Sequence, residues 1–157
     1  INYPDDPAVR NPSHQFLVGD NMIVAPVIEG EKIRKISLPT GNEIGLWTHK
    51  KYAGKKEYTM DVPLNEIPLF IKAGTILPLA KPTLHTEDPD SWNLTAVVFG
   101  RNEKSEVLYE EVGDYNPALK KVEIVWDNDL KKGELKRDKN EGTSSNQYSV
   151  IDWQFIN

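Results

Sequence analysis

Gln15-Phe16-Leu17-Val18-Gly19-Asp20-Asn21-Met22-Ile23-Val24-Ala25-Pro26-Val27-Ile28 consists of two short apolar runs separated by a Gly-Asp-Asn turn signal. β-Branched and aromatic residues crowd both runs, and Pro26 interrupts any helix that would start in the second, so the segment predicts strand, turn, strand. The same punctuation extends along the whole chain. Eleven Pro and ten Gly leave few windows for an unbroken helix, and the fold class predicted is all-β.

Working outward, Lys32 to Leu38 carries an imperfect apolar alternation and stops at the turn formers Pro39-Thr40-Gly41-Asn42. Leu46-Trp47-Thr48 and Tyr58 to Pro63 read as the next strands. Ile67 to Lys72 and Thr75 to Leu79 flank a tight turn or bulge at Ala73-Gly74, with Pro68 and Pro78 expected at strand starts or edges.

Ala80 to Trp92 then loses the apolar pattern and collects Pro and acidic residues, which marks a linker. Beyond it, Leu94–Phe99, Ser105–Tyr109, Val122–Trp126 and Tyr148–Ile156 read as strands. Asp127 to Asn146 is dominated by charge, Gly and Ser; its simplest reading is a mobile loop, with a short charged hairpin as the alternative. The organisation expected is a segment 1–13 preceding the first domain, a β-sandwich over 14–80, a linker over 81–92 and a smaller β-sheet domain over 93–157.

Composition excludes several classes of function. With 19 Lys and Arg against 24 Asp and Glu, the net charge of -5 offers no broad positive field for nucleic acid or an anionic membrane surface. The longest mostly apolar run, Met22 to Ile28, is far short of the roughly 20 residues that cross a bilayer. The absence of Cys removes disulfides, thiolate ligands and a Cys nucleophile, and leaves the compartment open. The opening Ile1-Asn2-Tyr3-Pro4-Asp5-Asp6-Pro7 has neither an initiator Met nor a secretory pattern, and reads as a cut inside a longer polypeptide.

Three ordered stretches carry a family resemblance. Tyr3-Pro4-Asp5-Asp6-Pro7, followed by Gln15 to Val27, is similar to a pattern of Phe-Pro-x-Asp, Gln-Phe-x-x-Gly and Leu-Val-Ala-Pro-Val. Leu38-Pro39-Thr40-Gly41, Leu46-Trp47-Thr48, Tyr52-Ala53-Gly54 and the run Ile67 to Pro78 resemble its continuation, which ends Ile-Pro-x-Phe-x-Arg-x-Gly-x-Ile-x-Pro. Leu108-Tyr109-Glu110-Glu111-Val112-Gly113-Asp114-Tyr115 resembles Leu-Tyr-Glu-Asp-Asp-Gly-Asp. These are patterns of the region that follows the catalytic barrel in glycoside hydrolase family 31, whose members include α-glucosidases and α-xylosidases. Glu43-Ile44-Gly45 departs from the family, which commonly places Trp-Tyr-Asp there.

The resemblance implies proximal and distal C-terminal β domains that support the barrel of the same polypeptide. The parent is then a retaining enzyme using two carboxyl groups roughly 5 Å apart on an α-glucoside or related α-glycoside. Both Asp residues of that pair lie upstream in the family, so this chain by itself is expected to be inactive, with no catalytic residue, cofactor or metal ligand assigned. An apolar patch left bare on the proximal sheet would favour this reading over a plain β-sandwich interaction protein.

The residues themselves offer weaker candidates. Asp5/Asp6, Glu87/Asp88 and Glu110/Glu111 are adjacent carboxylates; neighbours on a strand point to opposite faces and cannot converge on one bond, so solvated turns are expected. Glu110, Glu111 and Asp114 could be imagined around Ca²⁺, without EF-hand spacing to support it. His14, His49 and His85 stand apart from other ligand types.

Trp47, Trp92, Trp126 and Trp153 are expected in packing, because a Trp buries much apolar area. Trp92, in a polar connection, is the candidate carbohydrate contact. An alternative reading is therefore a stand-alone carbohydrate-binding module that stacks an exposed Trp on a sugar. Asn93-Leu94-Thr95 is an N-glycosylation sequon.

Overall fold

The computed structural model describes residues 3, 5, 6, 14–28, 32–85, 88–101, 105–112, 118–137 and 148–157. The described chain is all-β apart from one short 3₁₀ turn, and it forms two compact units, Ile1–Ala73 and Gly74–Asn157.

The first unit holds seven strands: β1 Phe16–Val18, β2 Met22–Val24, β3 Ile33–Leu38, β4 Asn42–Gly45, β5 Lys51–Ala53, β6 Lys56–Asp61 and β7 Leu69–Lys72. Five form an antiparallel sheet in the order β1-β2-β7-β4-β5, while β3 and β6 make a two-stranded sheet. Ile23, Ala25, Ile36, Leu38 and Phe70 form its core, joined by Leu17, Tyr52, Tyr58 and Met60. Tyr52 meets Tyr58 and Phe70 edge to face, each with centroids 5.1 Å apart, the geometry that aromatic quadrupoles favour.

Sequence expectation and structure part company around Trp47. Leu46-Trp47-Thr48 is a turn, and the strand lies one step earlier at β4. The chain reverses there because the His49 amide donates to Gly45 O, with His49 at φ 55°. Side-chain apolarity at Leu46 and Trp47 imitated a strand that the backbone hydrogen bonds do not make.

The second unit holds β8 Thr75–Ala80, the 3₁₀ turn Pro89–Trp92, β9 Asn93–Phe99, β10 Glu106–Val112, β11 Ala118–Asp127, β12 Lys132–Arg137 and β13 Ser149–Ile156. Two three-stranded sheets, β13-β9-β8 and β10-β11-β12, enclose Ile76, Leu94, Ala96, Val98 and Ile124. β13 runs parallel to β9, with a register break between Val150 and Asp152. Pro78 sits on the edge strand β8 and Pro68 immediately before β7, where no ladder donor is lost.

Two further differences concern boundaries. β8, expected to close the first domain, pairs with β9, so the 81–92 connection lies inside the second unit. Residues 132–137, expected as part of a mobile loop, form β12 and realise the hairpin alternative. Among their charges, Gly133, Leu135 and Arg137 alternate with the exposed Lys132, Glu134 and Lys136, which supplies one packable face. Residues 138–147 lie outside the described part.

Candidate docking surface

Strand register decides what the five-stranded sheet shows on each face, because successive side chains alternate. Leu17, Ile23 and Phe70 align across β1, β2 and β7 and point into the core. The opposite face therefore carries the rows Phe16, Val24, Leu69 and Val18, Met22, Ile71, Ile44. All seven are apolar; toward the β5 edge the same face carries the exposed polar residues Asn42 and Lys51. Ile44 and Ile71 are buried, whereas Phe16 is 54% and Val18 50% exposed.

A sheet with one solvated face alternates apolar with polar residues, and a sheet covered on both faces does not. Over β1, β2 and β7 this sheet follows the second pattern, and its β1 corner is bare. Covering Phe16 and Val18 would contribute roughly 1 kcal/mol each, since each is already half buried.

A second feature lies where β4 turns. Trp47, expected in packing, is 54% exposed, and its indole Nε1 donates to Ile67 O at 2.7 Å. It borders a cleft of about 60 Å³ lined by Met60, Leu69 and Phe70 together with Thr48, Asp61 and Glu66.

A third is Glu43 on β4, level with Tyr52 and Lys72 on the neighbouring strands. It is only 1% exposed, and its Oε2 is buried without a hydrogen-bond partner among the described residues. Burial pushes its carboxyl up to about 7, against the opposing pull of the Lys72 charge. The sequence marks Glu43 only as the start of Glu43-Ile44-Gly45, a departure from the family pattern, and no local feature records the strand register that buries it.

The other candidates are placed as follows. Trp92 ends the 3₁₀ turn, is half buried, and meets Tyr148 edge to face at 5.5 Å. Trp126 lies against Trp153 and Phe155, with centroids 5.7 and 5.9 Å away. Asp6 Oδ2 accepts from the Thr40 amide, and Asp88 caps the 3₁₀ turn by accepting from the Asp90 amide.

Glu110 corrects the expectation of a solvated turn: it lies on β10, 2% exposed, and holds Arg137 through both carboxylate oxygens at 3.0 and 3.5 Å. Its Oε1 also accepts from the Tyr148 amide at 2.9 Å, while the Arg137 guanidinium donates to Tyr148 O. These bonds turn Glu110 to a structural ion pair, away from metal ligation. The side chain of Glu111, together with Glu87 and Asp114, lies outside the described part.

His14 and His49 are exposed, and His85 O accepts from the Thr83 and Ser91 hydroxyls. Among the described residues no group of three His, Asp or Glu could hold a metal ion, and no helix is long and apolar enough to cross a membrane. The sequon residue Asn93 opens the central strand β9 and donates its amide to Asp90 Oδ1.

Comparison with known proteins gives this arrangement a context. Residues 1–77 match the model of the glycosyl hydrolase family 31 C-terminal domain. Alpha-glucosidase 2 of Bacillus thermoamyloliquefaciens is 31% identical over 115 residues, covering 72% of this chain and 15% of its own length.

Among solved structures, the Xanthomonas citri α-xylosidase is 28% identical with a TM-score of 0.74 and covers 99% of this chain and 18% of its own. The Flavobacterium johnsoniae dextranase, solved with glucose, is 31% identical with a TM-score of 0.68, over 78% of this chain and 16% of its own. The chain thus spans less than a fifth of each of these relatives. It belongs to glycoside hydrolase family 31, as part of the family's C-terminal β-sheet region.

Proposed function

We propose that the chain is the non-catalytic β-sheet cap of a retaining hydrolase acting on α-glucosides or related α-glycosides. It docks on the catalytic barrel of the same polypeptide through the outer face of the five-stranded sheet. The observation that carries this reading is the apolar outer face of β1, β2 and β7, with Phe16 and Val18 half exposed. Such a corner is stable in water only at a cost, and a partner surface removes it. The relatives, an α-glucosidase, an α-xylosidase and a dextranase, each carry most of their length outside the shared region.

The test is co-expression of this chain with the barrel of its parent enzyme as a separate polypeptide. The two should co-purify, and Phe16→Asp with Val18→Asp should weaken the association at least tenfold while the isolated chain keeps its β-sheet circular dichroism. Undiminished co-purification of the double variant, or turnover of p-nitrophenyl α-glucoside by the chain alone at an enzyme-like rate, overturns the proposal.

A further inference from the structure

The Trp47 cleft borders the outer sheet face at Leu69, and its other lining residues lie off that face. The Leu46 amide donates to Leu69 O, and the Trp47 ring nitrogen donates to Ile67 O, so the turn is tied at both its backbone and its side chain. The hydrogen bond uses the indole's single donor. With that donor used, the half-exposed ring offers solvent π-system surface and no group that needs a polar partner.

Beside this face, the cleft of about 60 Å³ is several times the roughly 10–15 Å³ that one water requires. It admits a hydroxymethyl arm, and a ring would have to lie over the indole. Asp61 and Glu66 are exposed and line the same cleft, adding acceptors for hydroxyl hydrogens. An apolar ring face bearing C–H groups, with hydroxyls around its edge, matches this combination of indole and carboxylates.

We infer that the Trp47 cleft is a carbohydrate subsite that takes a glucose unit of an α-linked glucan. The α-linkage rests on the functional reading above; the stacking geometry does not. Binding is weak and saturable, since one ring contact and a few exposed hydrogen bonds are available. It tethers the polymer to the cap.

The experiment is a titration of the intact 157-residue chain with isomaltotriose, maltotriose and the β-linked cellotriose, followed by Trp fluorescence and by calorimetry. Saturable binding of an α-linked trisaccharide is expected, reduced at least tenfold by Trp47→Ala and several-fold by Asp61→Asn with Glu66→Gln. Trp92→Ala should leave it unchanged. Because Trp47 is half exposed, thermal unfolding of each variant separates lost binding from lost fold.

No saturation with any sugar up to millimolar concentrations overturns the subsite and leaves barrel docking intact; a cleft that serves as a protein contact gives this result. Trp47-dependent binding of cellotriose alone overturns the α-glucan assignment and counts against the α-glycoside reading of the parent. Binding insensitive to Trp47→Ala overturns the location.

Discussion

The side-chain amide of Gln15 bonds both backbone groups of Ser37: its Nε2 donates to Ser37 O at 2.6 Å and its Oε1 accepts from Ser37 N at 2.9 Å. Ser37 lies on β3, whose ladder runs to β6, so these two groups face the strand's unpaired side. One glutamine thus imitates a further strand residue, and it ties the residue before β1 in one sheet to β3 in the other.

Replacing Gln15 by Ala removes two hydrogen bonds at a half-buried site. At about 1 kcal/mol each, a loss of roughly 2 kcal/mol is expected in urea unfolding of the first unit. Gln15→Glu should be at least as damaging, because a carboxylate cannot donate to Ser37 O. A variant as stable as wild type would show that solvent replaces the clamp.

Glu110 and Arg137 hold each other inside the second unit, and Glu110→Ala leaves the guanidinium without its counter-charge. Breaking a buried pair in this way costs about 3–5 kcal/mol. Arg137 retains some exposure, which places the expectation at the lower end, about 3 kcal/mol. The change should appear as lost amide protection at Tyr148, whose N–H donates to Glu110 Oε1.

Glu43 makes stability depend on pH in a stated direction. Its carboxyl is raised from 4.5 to about 7, so the folded state holds the proton more tightly than the unfolded chain. The associated stability is fully present below about pH 4.5 and is lost as pH rises through about 7, a change on the order of 3 kcal/mol. Glu43→Gln should flatten that part of the pH profile and be the more stable form at pH 8. An unchanged slope between pH 5 and pH 8 in Glu43→Gln would assign the dependence to other groups.

Gly54 lies where two turns cross: its amide donates to Gly41 O at 2.7 Å and the Lys55 amide donates to Pro39 O at 3.0 Å. A methyl group at Gly54 would overlap both carbonyl oxygens. Gly54→Ala is expected to cost roughly 1–3 kcal/mol or more, because backbone rather than side chain must move. Gly133→Ala offers a parallel in the second unit, where the obstacle is the Trp153 ring. Thermal melts of the two variants would rank rigid backbone against a packed indole.

Several strands were legible because their residues repeat a local physical rule. The runs Phe16–Val18, Met22–Val24 and Leu69–Ile71 are apolar and have Gly, Asn or Pro close by, and each lies in a strand. β12 was hard to see because only Leu135 is apolar in a stretch of charges, and its face is filled by Gly133 beneath Trp153 and by the ion-paired Arg137. The division at Ala73–Gly74 was hidden for a different reason. Apolar runs on both sides read as strands flanking a tight turn or bulge, yet β7 and β8 find partners in different sheets.

The sequence by itself determined the all-β class and the family, since turn formers, β-branched runs and the ordered motifs are properties of neighbouring residues. It also carried the expectation of a bare apolar patch, though not its position. Only tertiary structure decided which side chains share a face. Strand register puts Phe16 and Val18 outside while Leu17 points into the core, and it places Glu43 beside Lys72 and Tyr52 where water is excluded. It decided as well that the aromatic left half exposed over a cleft is Trp47 in its turn, while Trp92, the residue singled out from the sequence, packs edge-on against Tyr148. Exposure and pairing depend on residues far apart in the chain, and no local pattern records them.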